Sequence, residues 1–172
     1  FVWRCDDLDG TAGRILDSFA ARELLVVENC PWPYTLTGFD ALHTGSRSLR
    51  SDRTFRAPER FEMFLQPSTG GLEMLGDSLP HAISLLQAVI PGSPLTLEAI
   101  RCEGNLESGP MAMRFRCVSK ASRTDVRIEL SPTQAHPREA WFALDGLRAV
   151  REVAPVSYEL SFTGEGRTVP IS

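Results

Sequence analysis

Apolar residues recur at three- and four-residue spacing through residues 11–22, where Ala12, Ile15, Leu16, Phe19 and Ala20 share one stripe and Arg14 and Asp17 lie off it. That spacing predicts a helix with one buried face. Residues 24–27, Leu-Leu-Val-Val, are a continuous apolar run, the pattern of a strand covered on both faces as in a parallel sheet. Helix and strand together read as the last two elements of an α/β layer. The segment Cys30-Pro31-Trp32-Pro33-Tyr34 breaks the pattern. Its prolines lack amide donors and push the residues before them toward extended backbone, which makes a rigid connector. A domain junction is expected near residues 29–35.

Beyond it the period changes. A short helix is predicted over 37–42, and the arginine-rich stretch 45–60 has no sustained period and reads as surface or irregular strand. Phe61, Met63 and Leu65 alternate with Glu62, Phe64 and Gln66 as in a strand, and residues 67–71 read as a turn. A second amphipathic helix is predicted over 79–89, with Ala82, Leu85, Leu86 and Val89 as its apolar face, Asp77 or Ser78 as cap and Pro80 in the first turn. Pro91-Gly92 stops it. The remainder reads as strands over 95–102, 111–119, 125–130, 140–143, 149–153, 158–162 and 168–171, with Asp145-Gly146 and Gly164-Glu165-Gly166 as hairpin turns. Short links imply antiparallel pairing. The expected fold is α+β: a mainly antiparallel open sheet with helices on one face, preceded by the last helix and strand of a Rossmann-like layer. Residues 1–34 are the remnant of that layer and 35–172 the α+β domain, whose bare sheet face calls for cover or a partner.

Composition narrows the function classes. The net charge of -4 comes from 22 acidic against 18 basic side chains mixed along the chain, so no basic tract exists to collect nucleic-acid phosphates. Nucleic acid is not an expected partner, and neither is a membrane, since no stretch approaches the ~20 apolar residues of a span. Cys5, Cys30, Cys102 and Cys117 form no C-x-x-C pair, which argues against zinc and for reduced cysteines in a cytoplasmic setting. Cys102 and Cys117 sit within apolar-alternating segments and read as small hydrophobes. Lys120 is the one lysine, so chemistry that needs an amine has a single candidate.

One constellation can carry chemistry. Asp77 and His81 are four residues apart at the start of the predicted helix, which puts both on one helix face near the positive end of its dipole. A histidine exchanges protons near neutrality, and a carboxylate one turn away orients its ring. The plainer reading is a helix cap beside an interior histidine. Adding Glu73 as a third ligand would make a metal site conceivable, but Glu73 is expected on the preceding strand and no fourth ligand is apparent. No G-x-S-x-G elbow or Cys-His motif offers a covalent nucleophile.

The run Gly70-Gly71 through Asp77, His81 and the apolar positions to Leu86 resembles the segment that opens the second domain of Gfo/Idh/MocA-type NAD(P)-dependent oxidoreductases. The order of elements, a helix and strand, a crossover, this motif and a long antiparallel sheet, resembles that family over most of the chain. The resemblance implies hydride transfer between NAD or NADP and a sugar, polyol or related hydroxyl or carbonyl compound. In it His81 exchanges the hydroxyl proton, Asp77 orients the histidine or the substrate, and Trp32 and Tyr34 line the substrate pocket. It also implies a homo-oligomer built through the open sheet face. Three departures stand against it: no window has the G-x-G-x-x-G spacing, no lysine precedes the first helix where the family's Glu-Lys-Pro would fall, and the glycine usual between Asp and His is replaced by Leu79-Pro80. The nucleotide would then be bound mainly by residues not in this chain. Two alternatives are a catalytically silent ligand-binding or assembly module that keeps the fold, and a lyase or hydrolase using Asp77 and His81 without nucleotide. Arg53, Arg56 and Arg60 could clamp an anion or simply make a solvated face, and His43 and His136, in polar, turn-rich stretches, read as surface.

Overall fold

The helical period near the start forms α1 (Gly13–Ala20), but two residues of its stripe are open to solvent: Ile15 is 43% and Phe19 40% exposed. The computed structural model describes residues 10, 13–23, 30–43, 57–90, 95–105, 107 and 109–171. The chain divides into two units, Phe1–Cys30 and Pro31–Ser172. Among the described residues of the first unit there is no second element for α1 to pack on. The strand expected at 24–27, Cys5, Arg53 and Arg56 lie outside the described residues.

The second unit opens on a 3-10 turn (Trp32–Thr35) that runs directly into α2 (Leu36–Leu42). Strand β1 (Arg60–Leu65) follows, with Phe61, Met63 and Leu65 buried in alternation as its sequence demands. Helix α3 then covers Gly71–Val89, eight residues earlier than its predicted start. The Gly70-Gly71 pair is its entry rather than a separate turn, because Gly70 is the N-cap and Met74 already faces the core. Asp77 and Ser78 are therefore interior positions, not caps, and Pro80 lies mid-helix with no amide to offer the Gly76 carbonyl. The apolar face Ala82, Leu85, Leu86 and Val89 is buried as expected.

Seven strands complete the sheet: β2 (Thr96–Gly104), β3 (Met111–Val118), β4 (Arg123–Leu130), β5 (Ala140–Leu144), β6 (Leu147–Val153), β7 (Leu160–Gly164) and β8 (Arg167–Pro170). Their order is β2-β3-β4-β1-β5-β6-β7-β8. Every pairing is antiparallel except β1 with β4, which is parallel from Arg60↔Asp125 to Leu65↔Leu130. The two predicted hairpin turns close β5–β6 and β7–β8. Asp145 and Gly146 (φ 51° and 86°), like Glu165 and Gly166 (φ 49° and 73°), both adopt left-handed backbone, the geometry that matches strand twist in a two-residue hairpin.

The register sorts side chains onto two faces. Phe61, Met63, Val126, Ile128, Phe142, Leu144, Ala149 and Phe162 point toward the helices and are buried. Phe142 is the hub of this layer, with ring centroids 5.0 Å from Phe39, 5.5 Å from Phe162 and 6.2 Å from Trp32. The opposite face carries Arg60, Glu62, Arg114, Arg116, Asp125, Arg127 and Glu129, and at its centre Phe64 stacked on Trp141 with the Arg148 guanidinium 3.9 Å from the Trp141 ring. The fold is thus α+β, a mostly antiparallel eight-stranded open sheet. Among the described residues no helix is long and apolar enough to cross a membrane.

Three single-residue expectations change. Cys102 is exposed, not a core hydrophobe, because β2 is an edge strand exposed along its whole length. His43 is 2% exposed, because it ends α2 over the sheet, where its ring lies 4.6 Å from Phe39 and Nε2 donates to the Arg148 carbonyl at 3.1 Å. Glu73 falls in the first turn of α3, not on a preceding strand. Phe142→Ala should lower stability by about 3–5 kcal/mol through transfer and cavity costs. Tyr34→Ala, at a side chain 76% exposed, should change it by less than about 0.5 kcal/mol. Urea unfolding of both variants is the check, and a Phe142 variant as stable as the parent would move the core elsewhere.

Candidate functional site

Along one line across the helix-facing side of the sheet, Leu65 of β1 pairs with Ala140 of β5, and Ala140 pairs with Arg151 of β6. The short Ala140 side chain between two long ones leaves space above it. That space is a cavity of about 180 Å³ lined by Pro31, Trp32, Leu65, Gln66, Pro67, Asp77, Ser78, His81, Arg138, Glu139, Ala140 and Arg151. The 3-10 turn contributes Trp32, α3 contributes Asp77, Ser78 and His81, and the approach to β5 contributes Arg138 and Glu139.

The floor is held by backbone bonds and by two glutamine side chains. Gln66 donates its amide to the Glu139 carbonyl at 3.1 Å and accepts the Glu139 amide on Oε1 at 2.8 Å. The Thr133 amide donates to the Pro67 carbonyl at 2.9 Å, and Gln134 Nε2 to the Ser68 carbonyl at 2.7 Å. Residues 66–68 are therefore tied to residues 133–139 on their far side, and the cavity has a fixed base.

Of Asp77, His81, Trp32 and Tyr34, the first three share this cavity. Asp77 and His81 sit one turn apart on α3, and Trp32 is 4% exposed against Phe142. Tyr34 is not part of the lining; it is 76% exposed on the far side of the same short turn. Asp77 is exposed and makes no hydrogen bond or ion pair with any described residue, while His81 is half-buried with Nδ1 enclosed and unpartnered. The Ser84 hydroxyl donates to the His81 carbonyl at 3.0 Å, which fixes the helix rather than the ring.

Arg138 and Arg151 also line the cavity, although no sequence motif marks either. Arg151 occupies an inward position on β6, in phase with buried Ala149. An arginine on the core period of a strand was the available signal. Its guanidinium lies 5.4 Å from the Trp32 ring, close enough for a cation–π attraction, and burial pulls its pKa below the ordinary arginine value. The Arg138 Nη2 is 3.5 Å from His136 Nε2. Nε of each arginine is buried and unpartnered, like His81 Nδ1.

The other candidates lie elsewhere. Arg60 is on the opposite sheet face, paired with Glu62 at 3.0 Å, and His136 is exposed beside Pro137. Lys120 is exposed in the turn between β3 and β4, outside the cavity lining. Among the described residues no group of three or more His, Cys, Asp or Glu is disposed to hold a metal ion. The residues do not fit a dinucleotide either. The cavity is smaller than the ~300–1,000 Å³ of pockets for drug-sized ligands, and no glycine-rich turn borders it. What this arrangement can hold is one small polar molecule, with a histidine and a carboxylate on one wall and two guanidiniums on another. Comparisons with protein-family models, curated proteins and solved structures give no match to this chain.

Thiol chemistry separates by environment. Cys117 is buried and its pKa is raised by desolvation, whereas Cys102 is exposed. A thiol whose pKa is raised in the fold holds its proton while the unfolded chain releases one, so stability falls as pH rises through the ordinary thiol range. At neutral pH Cys102 should react with a thiol reagent well ahead of Cys117, and the alkaline loss of stability should be shallower in Cys117→Val. Mass-mapped alkylation and urea unfolding across pH test both, and equal labelling of the two cysteines would contradict the burial.

Proposed function

We propose that this chain is the substrate-binding and oligomerisation portion of an NAD(P)-dependent oxidoreductase acting on a sugar, polyol or related hydroxyl or carbonyl compound, in the cytoplasm. The observation that carries the reading is the convergence of Asp77, His81 and Trp32 on one small cavity against the sheet. Asp77 and His81 come from the motif that resembles the Gfo/Idh/MocA oxidoreductases, and Trp32 from the connector before it.

The role of the chain's own residues follows from that cavity. Trp32, buried against Phe142, closes one side of the cavity with apolar surface. His81 stands one helical turn from Asp77 on the wall of the same cavity. A hydroxyl held there passes its proton to the imidazole as it becomes a carbonyl, and Asp77, near but not bonded to the ring, orients the ligand or stabilises the imidazolium. The hydride leaving the same carbon needs an acceptor, and since these residues offer no dinucleotide cradle, NAD or NADP in this reading is held by residues other than these. The open sheet face, with Phe64, Trp141 and Arg148 at its centre, is the surface for assembly of copies.

A second reading, a silent binding or assembly module, is favoured by two specific features: the missing lysine and an Asp77 carboxylate that makes no bond to His81. Turnover separates the two. The full-length protein should oxidise a member of a polyol and sugar panel with NAD or NADP. His81→Gln should then lower kcat by about 10²–10⁴-fold, the share that acid–base catalysis usually supplies, with a smaller change in KM. Ligand binding without turnover would select the silent module, and turnover unaffected by His81→Gln would remove His81 from the chemistry.

A further inference from the structure

Among the described residues, six side chains carry a buried nitrogen or oxygen with no hydrogen-bond partner: His43, Thr69, His81, Arg127, Arg138 and Arg151. Three of the six, His81, Arg138 and Arg151, line the same cavity. Buried polar groups are almost always satisfied, so unsatisfied groups gathered at one site ask for an explanation.

The two arginines sharpen the question. On the opposite sheet face, by contrast, Arg116 meets Asp125 at 2.9 Å, Arg60 meets Glu62 at 3.0 Å and Arg127 bonds Glu129. Arg151 has no hydrogen bond or ion pair to any described residue, and Arg138 has only the long contact to the exposed His136. Carboxylates are at hand, since Asp77 and Glu139 line the same cavity. Neither comes within ion-pair distance of a guanidinium, and both are exposed and solvated. The cations thus sit partly desolvated on the sheet side while the anions stay in water, a separation that leaves the arginines' donors to something not part of the chain.

We infer that this cavity is an anion-binding pocket in which Arg138 and Arg151 receive the carboxylate or phosphate of a small polyhydroxylated acid, its hydroxyl end directed to His81. A guanidinium presents a planar fork of donors that matches either anion. The size fits one ring or a short chain rather than a nucleotide. Trp32, with its ring 5.4 Å from the Arg151 guanidinium, bounds the cavity beside that cation. This deepens the preceding reading by naming its substrate class, and it rests on that reading only for the use made of the hydroxyl end.

Binding therefore tests it apart from turnover. The full-length protein is titrated calorimetrically with gluconate, sorbitol 6-phosphate and sorbitol, three chains of equal carbon number that carry a carboxylate, a phosphate or neither. One of the two acids should bind at least tenfold more tightly than sorbitol, and which one does assigns the anion. Arg151→Gln and Arg138→Gln should each remove that preference, while Arg114→Gln on the opposite face should keep it. In ¹⁵N spectra the Arg138 and Arg151 Nε–H signals should shift together with the preferred acid and stay put with an equal concentration of sodium chloride. Equal binding of all three compounds, binding of none, or a preference that survives both arginine variants overturns the inference. Anion-selective binding without nicotinamide-dependent oxidation would leave the pocket standing and remove the oxidoreductase.

Discussion

A parallel pair of neighbouring strands cannot be joined by a turn, and β1 and β4 are such a pair. The chain has to travel back along the length of β1 before β4 begins, and it does so through α3 and the β2–β3 hairpin. Helix α3 packs on β1 and β4, the parallel pair, and covers their apolar face with Met74, Ala82, Leu85 and Val89. All the other pairings add antiparallel strands outward from this centre, β3 and β2 on one side and β5 to β8 on the other. The site is a by-product of the same constraint. The chain leaves β1 at Leu65 and enters α3 at Gly71, so the early turns of the helix rise beside the end of β1, where β5 starts and Arg151 of β6 points inward. Asp77, His81 and the two arginines meet because the crossover begins there.

How much of this was legible follows from what period and turn chemistry can encode. The strands were legible because a half-buried antiparallel sheet writes its two faces directly into alternation, and the hairpins because Asp145-Gly146 and Glu165-Gly166 accept the left-handed backbone such turns need. The start of α3 was not legible. Gly70-Gly71 and Gly76 are turn residues by propensity, and Pro80 is favoured in a first turn, so local preference pointed to a helix beginning near residue 79. Burial of Met74 and Ser78 against the sheet overrides it. The parallel pair was also hidden, since the buried residues of β1 alternate as those of an antiparallel strand would. Of the candidate site, Asp77 and His81 were visible through a motif. Arg151 carried only a weak sign, an arginine in phase with Ala149 on its strand, and Arg138, which precedes β5, carried none.

The two sheet faces solve opposite problems with one alternation. Toward the helices the strands present Phe, Met, Ile and Leu, and the layer closes on Phe142. Away from them they present charges of both signs at adjacent positions, so that Arg116 meets Asp125 and Arg127 meets Glu129 across or along the strands. Exposed pairs of this kind contribute little to stability, but they keep the face wet and mask strand backbone from casual association. An assembly across that face has to align complementary ladders, because burying an unpaired member costs several kcal/mol. The Phe64–Trp141–Arg148 stack is the apolar island in it, and it lies on the central strands rather than at an edge.

Arg151 connects the face that folds the protein with the cavity that would serve it. Its position in the β6 alternation belongs to the core, and its neighbours in register are Ala140 and Phe162. A hydrophobic residue there would complete the layer and close the cavity. The guanidinium instead places at the cavity a charge pulled partly out of water, 5.4 Å from the Trp32 ring. Desolvation of an unpaired cation works against the folded state, and an anion seated beside it reverses that sign. Occupancy of the cavity and stability of the sheet are then linked quantities: a ligand that binds only the folded domain stabilises it in proportion to the logarithm of its saturation. The desolvated cation on β6 is thus the point at which ligand binding and folding would be coupled.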